Sequence, residues 1–200
     1  MSEKKIAFFD FDGTITTGDS LLELIKFIKG RRSFYAGFIL NAQWVVAYKL
    51  NLISNDNAKQ KILTYFFAGM QENYFQEKCD LFINLKLPGM IRAAAFAEME
   101  TLRKDGFEVV VVSASGENWI RKWCDRLSLE LVATRLAVKN GLMTGKIEGK
   151  NCYGIQKVVC IMEKWNLSEY KEIYAYGDSP GDRPMLSLAT KSFYKPFRTA

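Results

Sequence analysis

Three short apolar runs punctuate the chain, and each ends abruptly on acidic, hydroxyl or glycine residues. Residues 5–9 stop at Asp10-Phe11-Asp12-Gly13, residues 107–112 at Ser113-Ala114-Ser115-Gly116, and residues 172–176 at Gly177-Asp178-Ser179. Runs this short and this apolar predict strands covered on both faces, as in a parallel sheet, and four consecutive valines at 109–112 fit that setting. Helical patterns lie between them at 91–104, stopped by Gly106, and at 117–127 and 157–165. Residues 133–149 read as two strand-like stretches around Asn140-Gly141, which predicts a hairpin. Strands alternating with helices predict an α/β, Rossmann-like core with a parallel sheet, in which ligands bind at the carboxyl edge of the strands.

Residues 18–87 break this alternation. They are helical in pattern and rich in aromatics, and Lys86-Leu87-Pro88-Gly89 marks the return to the sheet. The expected organisation is a core made of 1–17 and 86–200, with 18–85 inserted as a helical cap.

Composition narrows the chemistry. At 200 residues, 48% hydrophobic and 25% charged, the chain has room for one core and an insertion. It contains no histidine, which excludes Ser-His-Asp and Cys-His catalysis and any Cys/His zinc site. Acid–base work is left to carboxylates, Lys, Tyr or Cys. The four cysteines, Cys79, Cys124, Cys152 and Cys160, form no C-x-x-C pair and are expected as reduced thiols. The polar start at 1–5 leads straight into an apolar run ending in acids, unlike a secretory signal, so a cytoplasmic location is expected. A net charge of +6 favours anionic partners, either phosphorylated small molecules or an acidic membrane surface. No aromatic nucleic-acid-binding pattern or recognition-helix motif is present, so nucleic acid is not an expected partner.

Four features sit where a site is expected. Asp10 and Asp12, two residues apart beyond a strand, can reach one metal or one reacting centre. Ser113 follows the valine strand, Lys157 lies on a helix, and Asp178 and Asp182 follow the third strand. Each alone reads as a turn, a helix cap or a surface lysine. Together they form a set for phosphoryl transfer: the acids hold Mg²⁺, a hard cation that prefers oxygen, while Ser113 and Lys157 meet the phosphate oxygens.

The stretch Phe9-Asp10-Phe11-Asp12-Gly13-Thr14-Ile15-Thr16 resembles the first motif of the haloacid dehalogenase superfamily. Ser113 matches its second motif, Lys157 its third, and Asp178 with Asp182 its fourth, in order along nearly the whole chain. The position of the cap, and the stretch from Gly145 to Lys157, resemble the phosphoserine phosphatase-like branch, subfamily IB with a C1-type cap. The resemblance implies an Mg²⁺-dependent phosphomonoester phosphatase with Asp10 as nucleophile, an aspartyl-phosphate intermediate, and Asp12 as general acid and base. It implies a metal held by the Asp10 side chain, the Asp12 carbonyl and the Asp178 side chain, with Asp182 behind them orienting the lysine or a metal-bound water. Phosphate is expected at Ser113, Ala114 and Lys157. The proton-donating second acid argues against a dehalogenase proper. A phospho-accepting receiver domain is shorter and lacks an insertion after its first strand, and a non-catalytic binding module would not need every catalytic residue type.

The cap should choose the substrate. In phosphoserine phosphatases a cap glutamate near the first motif and a cap arginine hold the substrate's amino and carboxylate groups. Here Asp19 stands near the first position, and Lys59 or Lys61 are the candidates for the second. Lysine is a poorer bidentate partner for carboxylate than arginine. A small phosphorylated, phosphoserine-like metabolite is therefore one reading. The apolar stretch 34–48, preceded by Lys26, Lys29, Arg31 and Arg32, suggests another. It is too short to span a bilayer but could lie on anionic lipid. It resembles the apolar caps of phosphatidylglycerophosphate phosphatase-like members of the branch, which implies a phospholipid head-group substrate and peripheral membrane contact.

Overall fold

The computed structural model describes residues 3–198. The outermost positions of the expected core, 1–2 and 199–200, lie outside the described residues. Six strands form one sheet among the described residues: β1 (Lys4–Phe9), β2 (Phe107–Gly116), β3 (Glu130–Lys139), β4 (Leu142–Glu148), β5 (Tyr170–Gly177) and β6 (Lys191–Tyr194), in the order β4-β3-β2-β1-β5-β6. All neighbours are parallel except β3 and β4. The chain moves outward from β1 on one side and resumes at β5 on the other. The switch point, where ligands bind in such sheets, therefore lies between β1 and β5.

The unbroken apolar runs reflect burial on both faces. Ile6, Phe8, Val110 and Val112 pack with Ile161 and Met185 on one side of the sheet. Ala7, Phe9, Val109 and Val111 pack with Met99 and Leu102 on the other. The helices supplying these partners are α5 (Ala93–Lys104) on the second face, and α7 (Ile155–Lys164) and α8 (Arg183–Leu186) on the first.

Between β1 and β2 the chain forms α1 (Ser20–Leu40), interrupted at Gly30, then α2 (Ala42–Lys49), α3 (Asn55–Phe67) and α4 (Glu72–Leu85). Asp19 caps α1 by accepting from the Leu22 amide at 3.0 Å, and Ser54 caps α3 through the Asn57 amide at 3.2 Å. The chain leaves and re-enters the core side by side, with Thr17 N–H donating to Met90 O and Arg92 N–H to Ile15 O, both at 2.8 Å.

Three details differ from the sequence reading. Strand β2 continues beyond Val112 through Gly116. The helix expected at 117–127 shortens to α6 (Arg121–Arg126) behind a tight turn, because Trp119 is fully buried there with its indole N–H on Ser20 Oγ at 2.9 Å. Strand β6, four residues at the sheet edge, was not expected.

The expected hairpin is β3–β4, with Asn140 and Gly141 both at positive φ, as a two-residue turn of this type requires. Its tip docks on the helical insertion. Met143 N–H donates to Met70 O at 2.8 Å, Gly69 N–H to Met143 O at 2.9 Å, and Glu72 N–H to Gly141 O at 2.9 Å. At Gly145 (φ +70°) a Cβ would stand 2.2 Å from Thr64 Cα, so only glycine lets β4 lie against α3. Gly145→Ala is expected to destabilise the protein by the left-handed backbone cost of about 1–2 kcal/mol plus an overpacking cost of about 1–3 kcal/mol. Gly149→Ala, at φ +74° with nothing within 4 Å, should show the backbone cost alone. Equal urea midpoints for the two variants would contradict this docking.

Candidate active site

Strand ends bring the acids together. Asp10 is the first residue past β1, and its amide donates to Tyr176 O on β5 at 2.9 Å. The loop then turns at Gly13 (φ +84°), where a Cβ would lie 2.4 Å from Asp178 Oδ2; glycine alone lets the loop pass that carboxylate. Lys157, on the first turn of α7, is 1% exposed. Its ammonium donates to Asp10 Oδ1 at 2.5 Å, Asp182 Oδ1 at 2.6 Å and Val112 O at 2.9 Å, so each of its three protons has an acceptor.

The carboxylates are in different situations. Asp182 Oδ2 accepts from the Asp178 and Ser179 amides at 3.2 and 2.9 Å and from Ser179 Oγ at 2.7 Å. Burial opposes its charge, but Lys157 and Ser179 outweigh burial and hold it below its ordinary pKa. Asp10 carries fewer bonds: Lys157 on one oxygen and Thr14 Oγ on the other at 3.1 Å. Burial pushes it up to about 7, with Lys157 acting against the rise. Asp12 turns aside, accepting from the Ser20 amide at 2.7 Å and from Ser115 Oγ. Burial, with Asp19 nearby, pushes it up to about 6. Burial also opposes the Lys157 charge, but Asp10 and Asp182 prevail and raise its pKa, keeping it an ammonium.

One carboxylate oxygen from each of Asp10, Asp178 and Asp182 lies within 4.8 Å of the other two. This all-oxygen donor set fits a hard divalent cation. The Asp12 side chain is not part of it. Asp178 Oδ2 is paired with the Arg198 guanidinium.

A cavity of about 350 Å³ is lined on the core side by Asp10, Asp12, Ser113, Ala114, Lys157 and Asp182. Leu21, Leu22, Phe38, Val45 and Ile62 from the helical insertion make the opposite wall largely apolar. Asp19 and Lys59 also line it. Asp19 spends an oxygen on its helix cap, and burial raises its pKa. Lys59 donates to Ala114 O and, at 2.9 Å, to Asn151 Oδ1, and burial pushes its pKa down to about 8 against the pull of Asp12 and Asp19. Lys61 is not brought to the cavity: its ammonium sits 4.6 Å from the centre of the Trp44 ring. Positions two apart on a helix point to opposite sides, so Lys59 and Lys61 could not both reach it.

Several polar residues at the site were not foreseen. Asn151, 1% exposed, donates to Asn55 Oδ1 at 3.0 Å and Asp56 Oδ1 at 2.9 Å on α3 while accepting from Thr134 and Lys59. It ties the core to the helical insertion. In sequence it stood only within the stretch from Gly145 to Lys157, with no role of its own. Ser115, two places beyond Ser113, carried the visible signal of lying at the same strand end.

A mostly parallel α/β sheet with an acid–lysine cluster at its switch point defines a Rossmann-like fold with a polar site at the carboxyl ends of its strands. The family described as haloacid dehalogenase-like hydrolase matches residues 7–187, and the chain belongs to it. It is 28% identical over 198 residues to Protein CicA of Caulobacter vibrioides, covering 98% of this chain and 88% of that one. Among solved structures, a protein of unknown function from Bordetella pertussis Tohama I superposes with a TM-score of 0.83 at 20% identity, covering 96% and 89% of the two chains. A phosphoserine phosphatase from T. onnurineus superposes with a TM-score of 0.62 at 21% identity, covering 96% and 84%. The chain thus shares the fold of the phosphoserine phosphatase-like branch.

Lys157→Met would leave Asp10 and Asp182 buried without their cation. It is expected to cost about 3–5 kcal/mol in urea unfolding without divalent cations. An unchanged midpoint would show that the triad is not what holds these strand ends together.

Proposed function

We propose that this chain is an Mg²⁺-dependent phosphomonoester phosphatase that works through an aspartyl-phosphate on Asp10. The observation that carries this reading is the buried Lys157 bridging Asp10 and Asp182 at the sheet's switch point, open to a cavity. Asp10, Asp178 and the Asp12 carbonyl would hold the metal. When bound, Mg²⁺ neutralises charge on the phosphoryl oxygens and offsets their repulsion of a carboxylate nucleophile.

In the proposed reaction an Asp10 oxygen attacks phosphorus and the bond to the leaving alkoxide breaks. Ser113 and Ala114 receive the phosphoryl oxygens, and the Lys157 charge beside Asp10 offsets theirs. Asp12 gives its proton to the leaving oxygen; it lines the same cavity as Asp10, and burial raises its pKa above the ordinary carboxylate value. Asp12 then takes a proton from water, which attacks the aspartyl-phosphate, releasing inorganic phosphate and restoring Asp10. Ser20 and Ser115 hold Asp12 in position throughout. Residues 18–85 would act as the cap that closes the cavity and selects the substrate.

A small phosphorylated metabolite, phosphoserine-like in size, is the first substrate reading, with Asp19 and Lys59 on its distal end. The apolar wall of Leu21, Leu22, Phe38, Val45 and Ile62 favours a second, a phospholipid head group. The experiment is Mg²⁺-dependent phosphate release from p-nitrophenyl phosphate, phosphoserine, glycerol phosphate and phosphatidylglycerophosphate in detergent. Asp10→Asn should fall to background, and chelation of the metal should do the same until Mg²⁺ is returned. Asp12→Asn should keep the fold and slow turnover by about 10²-fold or more; undiminished turnover would remove Asp12 from the reaction. Lys59 loses its charge as pH rises through about 8. KM for an anionic substrate should therefore rise above that pH, and Lys59→Gln should flatten the dependence. The same rise in the variant would exclude Lys59 from substrate binding.

A further inference from the structure

Residues 24–55 contain no aspartate or glutamate but carry Lys26, Lys29, Arg31, Arg32 and Lys49. This one stretch thus holds five positive charges in a chain whose net charge is +6. Lys26 pairs with Glu23; the other four have no ion-pair partner among the described residues.

The same stretch folds into a two-sided corner. On α1, positions 35, 36, 39 and 40 are exposed while 34, 37 and 41 are buried. On α2 and the turn after it, 42, 43, 46, 49, 50 and 52 are exposed. This is helical spacing, with an inner face packed on the protein and an outer face left open. Asn41 makes the corner, its side chain donating to Gly37 O at 2.8 Å. The 34–48 segment is therefore not one interfacial helix, since only its outer half is free. That outer half is apolar: Ile39 is 75% exposed, Leu52 73%, Leu50 64% and Leu40 63%, with Tyr35 and Val46 beside them. Single exposed leucines are ordinary, but several large apolar side chains gathered among free cations mark an interaction surface.

Apolar area alone would suit many partners, and the charge selects among them. A second copy of this chain would bring the same cations face to face, which opposes pairing. An anionic bilayer offers an apolar layer directly beneath a plane of phosphates. Among the described residues no helix is long and apolar enough to cross a membrane, so contact would be at the interface. We propose that the α1–α2 corner docks on anionic membranes, with Ile39, Leu40, Leu50 and Leu52 in the acyl boundary and the exposed Arg31, Arg32 and Lys49 at the head-group phosphates. Phe38, Val45 and Tyr48, on the inner side of the same elements, line the cavity, so docking would bring the cavity wall to the lipid surface. The proposal does not depend on the phosphatase reading, because vesicle binding is read without turnover.

The test is flotation of the full chain with vesicles of mixed phosphatidylglycerol and phosphatidylcholine, and with phosphatidylcholine alone. The wild type should float with the anionic vesicles, less so as salt rises, and not with the neutral ones. The quadruple variant Ile39→Gln, Leu40→Gln, Leu50→Gln, Leu52→Gln should lower the bound-to-free ratio by about tenfold or more, as loss of buried apolar area predicts. Arg31→Gln with Arg32→Gln and Lys49→Gln should do likewise. Both variants should keep the wild-type melting curve and p-nitrophenyl phosphate hydrolysis. No binding of the wild type to anionic vesicles at low salt would overturn the proposal, as would unchanged binding of the quadruple variant. A dimer in sedimentation that the quadruple variant dissociates, without vesicle binding, would assign the corner to a second copy instead.

Discussion

The ammonium of Lys157 is almost wholly buried, and its three protons are taken by Asp10, Asp182 and the Val112 carbonyl. Those acceptors belong to the loop after β1, the loop after β5 and the body of β2, while the donor comes from α7. A buried charge missing one partner is far more costly than the complete set is favourable. The four segments must therefore arrive in register together, and the geometry of the site follows from that requirement. Two backbone features serve the same assembly: the Asp178 and Ser179 amides donate to Asp182 Oδ2, and Gly13 lets the loop after β1 pass the Asp178 carboxylate.

The same triad divides labour between two carboxylates that look alike in sequence. Asp182 has one oxygen on Lys157 and three donors on the other, and these hold its pKa below the ordinary value and keep it charged. It is committed to structure. Asp10 has two donors in all and faces the cavity, so it keeps lone pairs free. The pair thus sets a lightly bonded carboxylate, open to the cavity, beside a fully bonded one.

Much of this was legible in the chain. Apolar runs at 5–9, 107–112 and 172–176 read as double-sided strands because both faces are buried, and their abrupt polar ends located Asp10, Ser113 and Asp178. The Asn140-Gly141 turn was visible because few residues tolerate two successive positive φ values. What escaped shares one physical origin: it depends on partners distant in sequence. Asn151 carries no local signal, because its partners on α3 lie some 95 positions away. Strand β6 is short, lies at an edge and is mostly exposed, so it has no run to display. Lys59 and Lys61 were equal in sequence until the rotation of α3 placed one in the cavity and the other over Trp44.

The hairpin tip resting on α3 and α4 also bears on the order in which the molecule can be assembled. The helical insertion leaves the ribosome early, but the strand that meets Thr64, Gly69 and Met70 lies some 75 residues later, at Met143 and Gly145. Until β4 is made, the face of α3 around Thr64 that receives it has nothing against it, although α1 and α2 already pack on its other side. Closure of this insertion is thus a late, long-range step, set by chain entropy as much as by its own helices. A truncation ending before β4 would free a helical segment that has no way to finish its fold.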